Sequence, residues 1–216
     1  MNRDIALIIK NKLAGANYVD KLAGLAIPYQ FTVEIDDNQT SDKIIPIDID
    51  VDPSTCESED DKNWLVPEAK LKSLIFFEDL GVNPIDTMPD GTQIRNGVQG
   101  FQSLLKLIGW VNQNHFVIPA GSNISSLIIL DIRKRLNAER NKNLGNYSRL
   151  QFNIVDEAIK NQNIFSNYTF RLFEGSLLVP PYDYFALTIQ TTFAISESCI
   201  SQIQTKIPNE CEDIPQ

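Results

Sequence analysis

The apolar positions change period along the chain, and the changes mark the elements. Ile5, Ile8, Ile9, Leu13 and Ala16 recur at helical spacing and give one buried face. Asn2 stands at the N-cap, and Asp4 places a negative charge in the opening turn, where it suits the helix dipole. Gly15 weakens this pattern and Gly24 with Pro28 ends it, so Tyr18, Val19 and Leu22 either extend the helix or form a second short one. After Pro28 the period becomes two. Phe31, Val33 and Ile35 alternate with Thr32 and Glu34 as a strand. Ile45, Ile47, Ile49 and Val51 alternate with Pro46, Asp48, Asp50 and Asp52, which predicts a second strand with three carboxylates on one face. Pro46 has no N–H to donate, and this makes the second strand an edge strand or a long hairpin arm.

Leu71 to Phe77 is a third strand, ended by Gly81 and Pro84. A long loop follows over 83–100, with room for a short strand at Thr92 to Val98. Phe101 to Val111 is apolar on both faces, the mark of a central strand. Ser122 or Asn123 caps the clearest helix, in which Ile124, Ile128, Ile132 and Leu136 repeat every four residues and Leu127 widens the stripe. Leu150 to Val155 reads as a strand, and Tyr168, Phe170 and Leu172 alternate before Pro180-Pro181. Phe185, Leu187, Ile189, Phe193 and Ile195 then complete a closing antiparallel pair. The expected fold is α+β: a mainly antiparallel sheet packed by two main helices, with a projecting acidic β-hairpin and a C-terminal arm. Residues 1–196 form a single domain with the acidic hairpin and loop 36–63 as an insertion, and residues 197–216 form a tail without sustained period.

Composition adds bounds to this picture. A chain of 216 residues, 43% hydrophobic, buries a core without metal or disulfide staples. No apolar run approaches the roughly 20 residues that span a bilayer. Lys10 and Lys12 interrupt the start too early for a signal-peptide core, so the expectation is a soluble chain made in a cytoplasm, with no membrane partner. Cys56, Cys199 and Cys211 make no CxxC spacing; Cys199 and Cys211 either pair across an 11-residue loop or stay free thiols. The four Asn-x-Ser/Thr sequons carry meaning only in a secretory pathway.

Charge is the most informative feature. The net charge is −9, yet Glu34 to Asp61 alone holds eleven acids and the single base Lys43, so the remainder is close to neutral. An opposite patch lies between Arg133 and Arg149, with Arg133, Lys134, Arg135, Arg140, Lys142 and Arg149 against Glu139. Two complementary patches on one subunit suit a head-to-tail contact, or are simply two solvated surfaces. The acidic balance argues against a dedicated nucleic-acid grip, which needs a basic footprint.

Catalytic chemistry is not legible. The one histidine, His115, sits in a polar loop with no nucleophile motif, and GxSxG, HExxH and phosphate-binding glycine loops do not occur. Counting Asp48 as position one, Asp50, Asp52 and Glu59 fall where an EF-hand places its carboxylates. Position six, however, is Pro53, where that loop requires glycine, and strand rather than helix precedes it. A glycosidase pair would need a cleft lined by aromatic rings, and only Trp64 is near. The sequence therefore assigns no enzyme, no cofactor, and no catalytic or metal-ligating residue.

The order of elements resembles the neck and tail-terminator (head–tail connector) proteins of tailed bacteriophages. Phe101-Gln-Ser-Leu-Leu-Lys-Leu-Ile-Gly-Trp-Val-Asn112 and Pro180-Pro-Tyr-Asp-Tyr-Phe-Ala-Leu-Thr-Ile189 are similar to stretches in structural proteins of Bacteroidetes phages. The acidic insertion and the cysteine-bearing tail depart from the family's pattern. The resemblance implies a virion protein, assembled in the bacterial host cytoplasm, forming a ring of six or twelve copies between portal and tail. DNA would pass through that ring without specific binding. Under this implication Asp48, Asp50 and Asp52 are candidates for an acidic lumen that repels phosphates. Arg133, Lys134, Arg135 and Arg140 are candidates for the contact between subunits. The alternative is a soluble bacterial binding module whose acidic hairpin takes a basic partner or a divalent cation.

Overall fold

The computed structural model describes residues 1–36, 39–49, 64–94, 96–117, 122–137, 142–144, 147–161, 163–169 and 175–196. The elements in chain order are α1 (Asn2–Leu13), β1 (Lys21–Asp36), β2 (Gln39–Asp48), β3 (Ser73–Ile85), β4 (Val98–Asn112), α2 (Ile124–Asn137), β5 (Lys142–Leu144), β6 (Tyr147–Ile159) and β7 (Tyr182–Ser196). Six long strands and the three-residue β5 make one sheet in the order β2-β1-β3-β4-β7-β6-β5. Every pairing is antiparallel except β1 with β3, which run parallel. The fold is thus α+β, with a mostly antiparallel sheet and two helices.

Both helices lie on one face. Ile5, Ile9 and Leu13 of α1 and Ile128, Ile132 and Leu136 of α2 pack on Ile75, Leu105, Leu107, Leu187 and Phe193 of the sheet. Side chains of this size stabilise by about 1.5–3 kcal/mol each when fully buried. The N-terminal end of α2 is fixed by Asn123, whose Oδ1 accepts from the Ser126 N–H at 3.0 Å while its Nδ2 donates to buried Asp183 at 3.1 Å. Asn2 behaves otherwise. It lies inside α1, makes no cap, and is buried against the sheet, donating to Asp79 and accepting from the Ser103 hydroxyl. The chain leaves α1 at Leu13, with Gly15 at φ +80° in the turn that follows.

β1 begins at Lys21, well before Pro28, and Pro28 lies within it. Pro28 faces Pro46 across the β1–β2 pairing. The Pro46 carbonyl accepts from the Leu65 N–H on the outer side of β2, so the amide positions of this proline pair point away from each other. Neither missing N–H breaks the ladder between them. The same geometry turns Pro28 toward the β3 side without a donor. There β1 pairs with β3 only from Lys21 to Leu25, and continues from Ala26 to Asp36 with β2 as a two-stranded ribbon.

The third and last strands also differ from expectation. β3 runs through Gly81 and Pro84, because a bulge at Asp79–Gly81 absorbs the glycine, closed by the Gly81 N–H on Asp79 Oδ1 at 2.7 Å. β4 is central, between β3 and β7 as its two-sided apolar pattern requires. The closing antiparallel pair is β6 with β7, while Tyr168 lies in a crossing turn; Phe170 and Leu172 are outside the described residues. The C-terminal tail 197–216 is outside them too. Among the described residues, no helix is long and apolar enough to cross a membrane.

Candidate functional site

Of the acids between Glu34 and Asp61, two have described side chains, Asp42 and Asp48, both on β2. Asp42 stands opposite Thr32, accepting from its hydroxyl at 2.9 Å and from Gln30 Nε2 at 3.0 Å. Asp48 is the last residue of β2; its Oδ2 accepts from the Gly24 N–H at 3.4 Å, and the side chain is half-buried. Asp50 and Asp52, the other two candidate lumen carboxylates, lie outside the described residues. Among the described residues no group of three or more His, Cys, Asp or Glu side chains is placed to hold a metal ion. His115 sits exposed in a 3-10 turn after β4.

The opposite face of the ribbon is aromatic. Tyr29 stacks on Phe31 at 5.9 Å between ring centroids, and Phe31 meets Trp64 at 5.2 Å. Trp64 is held there by an isolated bridge to Ile47 and by Lys21 Nζ, which donates to its carbonyl at 2.6 Å. Ile45 and Ile47 beside this row are buried, whereas Ile27 and Tyr29 remain 39% and 45% exposed. An apolar layer that starts under the sheet therefore runs out along the ribbon into solvent.

The basic surface divides. Arg133 Nη2 pairs with Glu157 on β6 at 2.9 Å. Arg135 Nε pairs with Asp131 one turn earlier at 2.5 Å, and its Nη1 reaches the Lys12 carbonyl of α1 at 3.3 Å. These two guanidinium groups tie α2 to its own sheet and to α1. Lys134 lies between them, exposed. Arg140 is outside the described residues. Beside Lys134 on the solvent side of α2 stand Leu127 and Leu130, 41% and 64% exposed.

A third polar site has no counterpart in the sequence reading. Glu78 of β3 and Lys106 of β4 face each other across the ladder, and Lys106 Nζ sits 3.1 Å from Glu78 Oε2. Residues 163–169 cross over this pair as a strap. Lys106 also donates to the Ile164 carbonyl at 2.9 Å, and Ile164, Phe165 and Tyr168 bury their side chains among Phe76, Trp110 and Tyr184. Burial first, and then the Glu78 carboxylate, push the Tyr168 hydroxyl far above the usual phenol range. The strap ends at Thr169, whose N–H donates to the Ile44 carbonyl at 3.0 Å while its hydroxyl accepts from the Ile44 N–H at 3.0 Å. Its signal in the sequence was Lys106 itself, a cation in the apolar run from Phe101 to Val111, with Glu78 just after the apolar stretch of β3.

A scan against protein-family models finds no match for the chain, and a search of curated proteins finds none either.

Proposed function

We propose that the chain is a structural virion protein of a tailed phage, forming a ring in the neck or tail-terminator region that joins portal to tail and lets DNA pass. The observation that carries this reading is the β1–β2 ribbon, which leaves the sheet after Leu25 and is the element through which one copy can reach another. We take this ribbon, with the acidic stretch up to Asp61, as the projecting acidic hairpin. The element order supports the same reading: a first helix, a long ribbon, a strand pair, a capped helix and a closing antiparallel pair. In this proposal the carboxylates of Asp48, Asp50 and Asp52 repel the phosphates of passing DNA. The role is architectural and assigns no catalysis.

The test is the mass of the full chain in solution together with negative-stain images of the same sample. Rings of six or twelve copies are expected, alone or on addition of the preceding connector layer. A chain that stays monomeric in both conditions overturns the ring, and a calcium-dependent rise in melting temperature would then favour the binding-module alternative.

A further inference from the structure

We propose that the Asn96-Gly97 turn ahead of β4 is a site of spontaneous backbone modification, where the asparagine closes to a succinimide that water opens to aspartate or isoaspartate. This is independent of the ring reading and follows from two turns of one segment that differ in how they are held. Asp90-Gly91 and Asn96-Gly97 each place a glycine at positive φ, +79° and +83°, with open space where a Cβ would lie. In both, a side-chain carbonyl carbon stands one residue before an unhindered backbone nitrogen, the arrangement that closes a five-membered ring. Asn96-Gly97 is the only Asn-Gly pair in the chain.

At the first turn the reacting groups are engaged. The Gly91 N–H donates to the Met88 carbonyl at 2.9 Å, and the Asp90 carboxylate accepts from the Thr92 N–H at 2.9 Å. Hydrogen bonds from Thr92, its hydroxyl first and then its N–H, hold the Asp90 carboxyl below the usual carboxylate range. A carboxylate that stays ionised offers no leaving group, since ring closure there must expel water from the neutral acid. At the second turn Asn96 and Gly97 are both exposed, and among the described residues neither the Asn96 amide nor the Gly97 N–H has a hydrogen-bond partner. Base removes the Gly97 amide proton and the nitrogen bonds to Asn96 Cγ. The Cγ–Nδ2 bond breaks, and the departing NH2 takes up a proton and leaves as ammonia. One water then adds across either ring carbonyl. Both products set a new carboxylate before β4. The isoaspartate route also adds a carbon to the main chain between the Thr87–Gln93 bridge and the first β4–β7 pair, Val98 with Ser196.

The experiment incubates the full folded chain at mildly alkaline pH, beside the same chain in urea and the folded Asn96→Gln variant, whose longer side chain cannot close this ring. Each sample is digested at acidic pH and its peptides are followed by mass spectrometry. Methyl transfer from S-adenosylmethionine by an isoaspartate-specific methyltransferase is the second readout. In the folded wild type the Asn96 peptide is expected to convert to an aspartate and isoaspartate pair, faster at higher pH and at a rate within an order of magnitude of the urea sample. The Asp90-Gly91 peptide of the folded chain is expected to stay unchanged. Asn96→Gln should melt with wild type, because the side chain is exposed, and should accept no methyl at this turn. A folded chain that converts Asn96 more slowly than that overturns the proposal, because the native turn then protects the pair. Methyl acceptance retained in full by Asn96→Gln, or isomerisation at Asp90 as fast as conversion at Asn96, overturns it as well.

Discussion

At the scale of single residues, side-chain volume decides several positions that polarity patterns leave open. Gly109 lies in β4 beneath Phe185, and a Cβ built on it would sit 2.3 Å from the ring's Cζ. The glycine is what lets the ring of Phe185, itself fully buried, lie across the central strand. Gly109→Ala should destabilise the fold by about 1–3 kcal/mol through overpacking. For a chain of this length that is a fall in melting temperature of roughly 2–4 °C per kcal/mol, checked by calorimetry; an unchanged melting point would show that the ring shifts at no cost. In the sequence Gly109 was only a gap in an apolar run. The cap at Asn123 was legible because capping is a local contest between side chain and backbone. Asn2 was misread for the same reason: its partners Asp79 and Ser103 are far away in the chain, and no local rule reports them.

At the scale of elements, the strap shows how one ion pair holds two layers together. Glu78 and Lys106 are 9% and 19% exposed, and the same ammonium group binds the strap through the Ile164 carbonyl. Lys106→Met should leave Glu78 buried without its cation and cost on the order of 3–5 kcal/mol. Glu78→Gln together with Lys106→Met should recover much of that loss, since the uncompensated charge is gone. Urea unfolding of the single and double variants measures both. A double variant no more stable than Lys106→Met would mean that the buried charge is not the origin of the loss. Hydrophobic patterning identified β4 and β7 because each is buried on at least one face along much of its length, and β6 through its two buried residues, Leu150 and Phe152. It placed Tyr168 in a strand because the strap buries Ile164, Phe165 and Tyr168, and the period of two that follows Tyr168 continues beyond the described residues. The start of β1 was hidden by Gly24 and Pro28, which act as breakers only where the ladder needs their missing features.

At the scale of the whole molecule, charge is unevenly placed along the chain: Glu34 to Asp61 holds eleven acids and one base. The sequence made the charge asymmetry plain, but not that Arg133 and Arg135 are occupied by Glu157 and Asp131, because ion pairing depends on tertiary placement. The position of β7 has a consequence for biogenesis. Among the described residues it is the last strand in chain order, yet it sits between β4 and β6 and pairs with both along most of its length. While the polypeptide emerges from a ribosome, β4 therefore waits with one side of its backbone unsatisfied until residues 182–196 have been made. Such long-range pairing folds slowly, on the order of milliseconds to seconds, and leaves a strand edge open to aggregation. Nascent chains stalled before Tyr182 should bind chaperones that chains extended past Ser196 release.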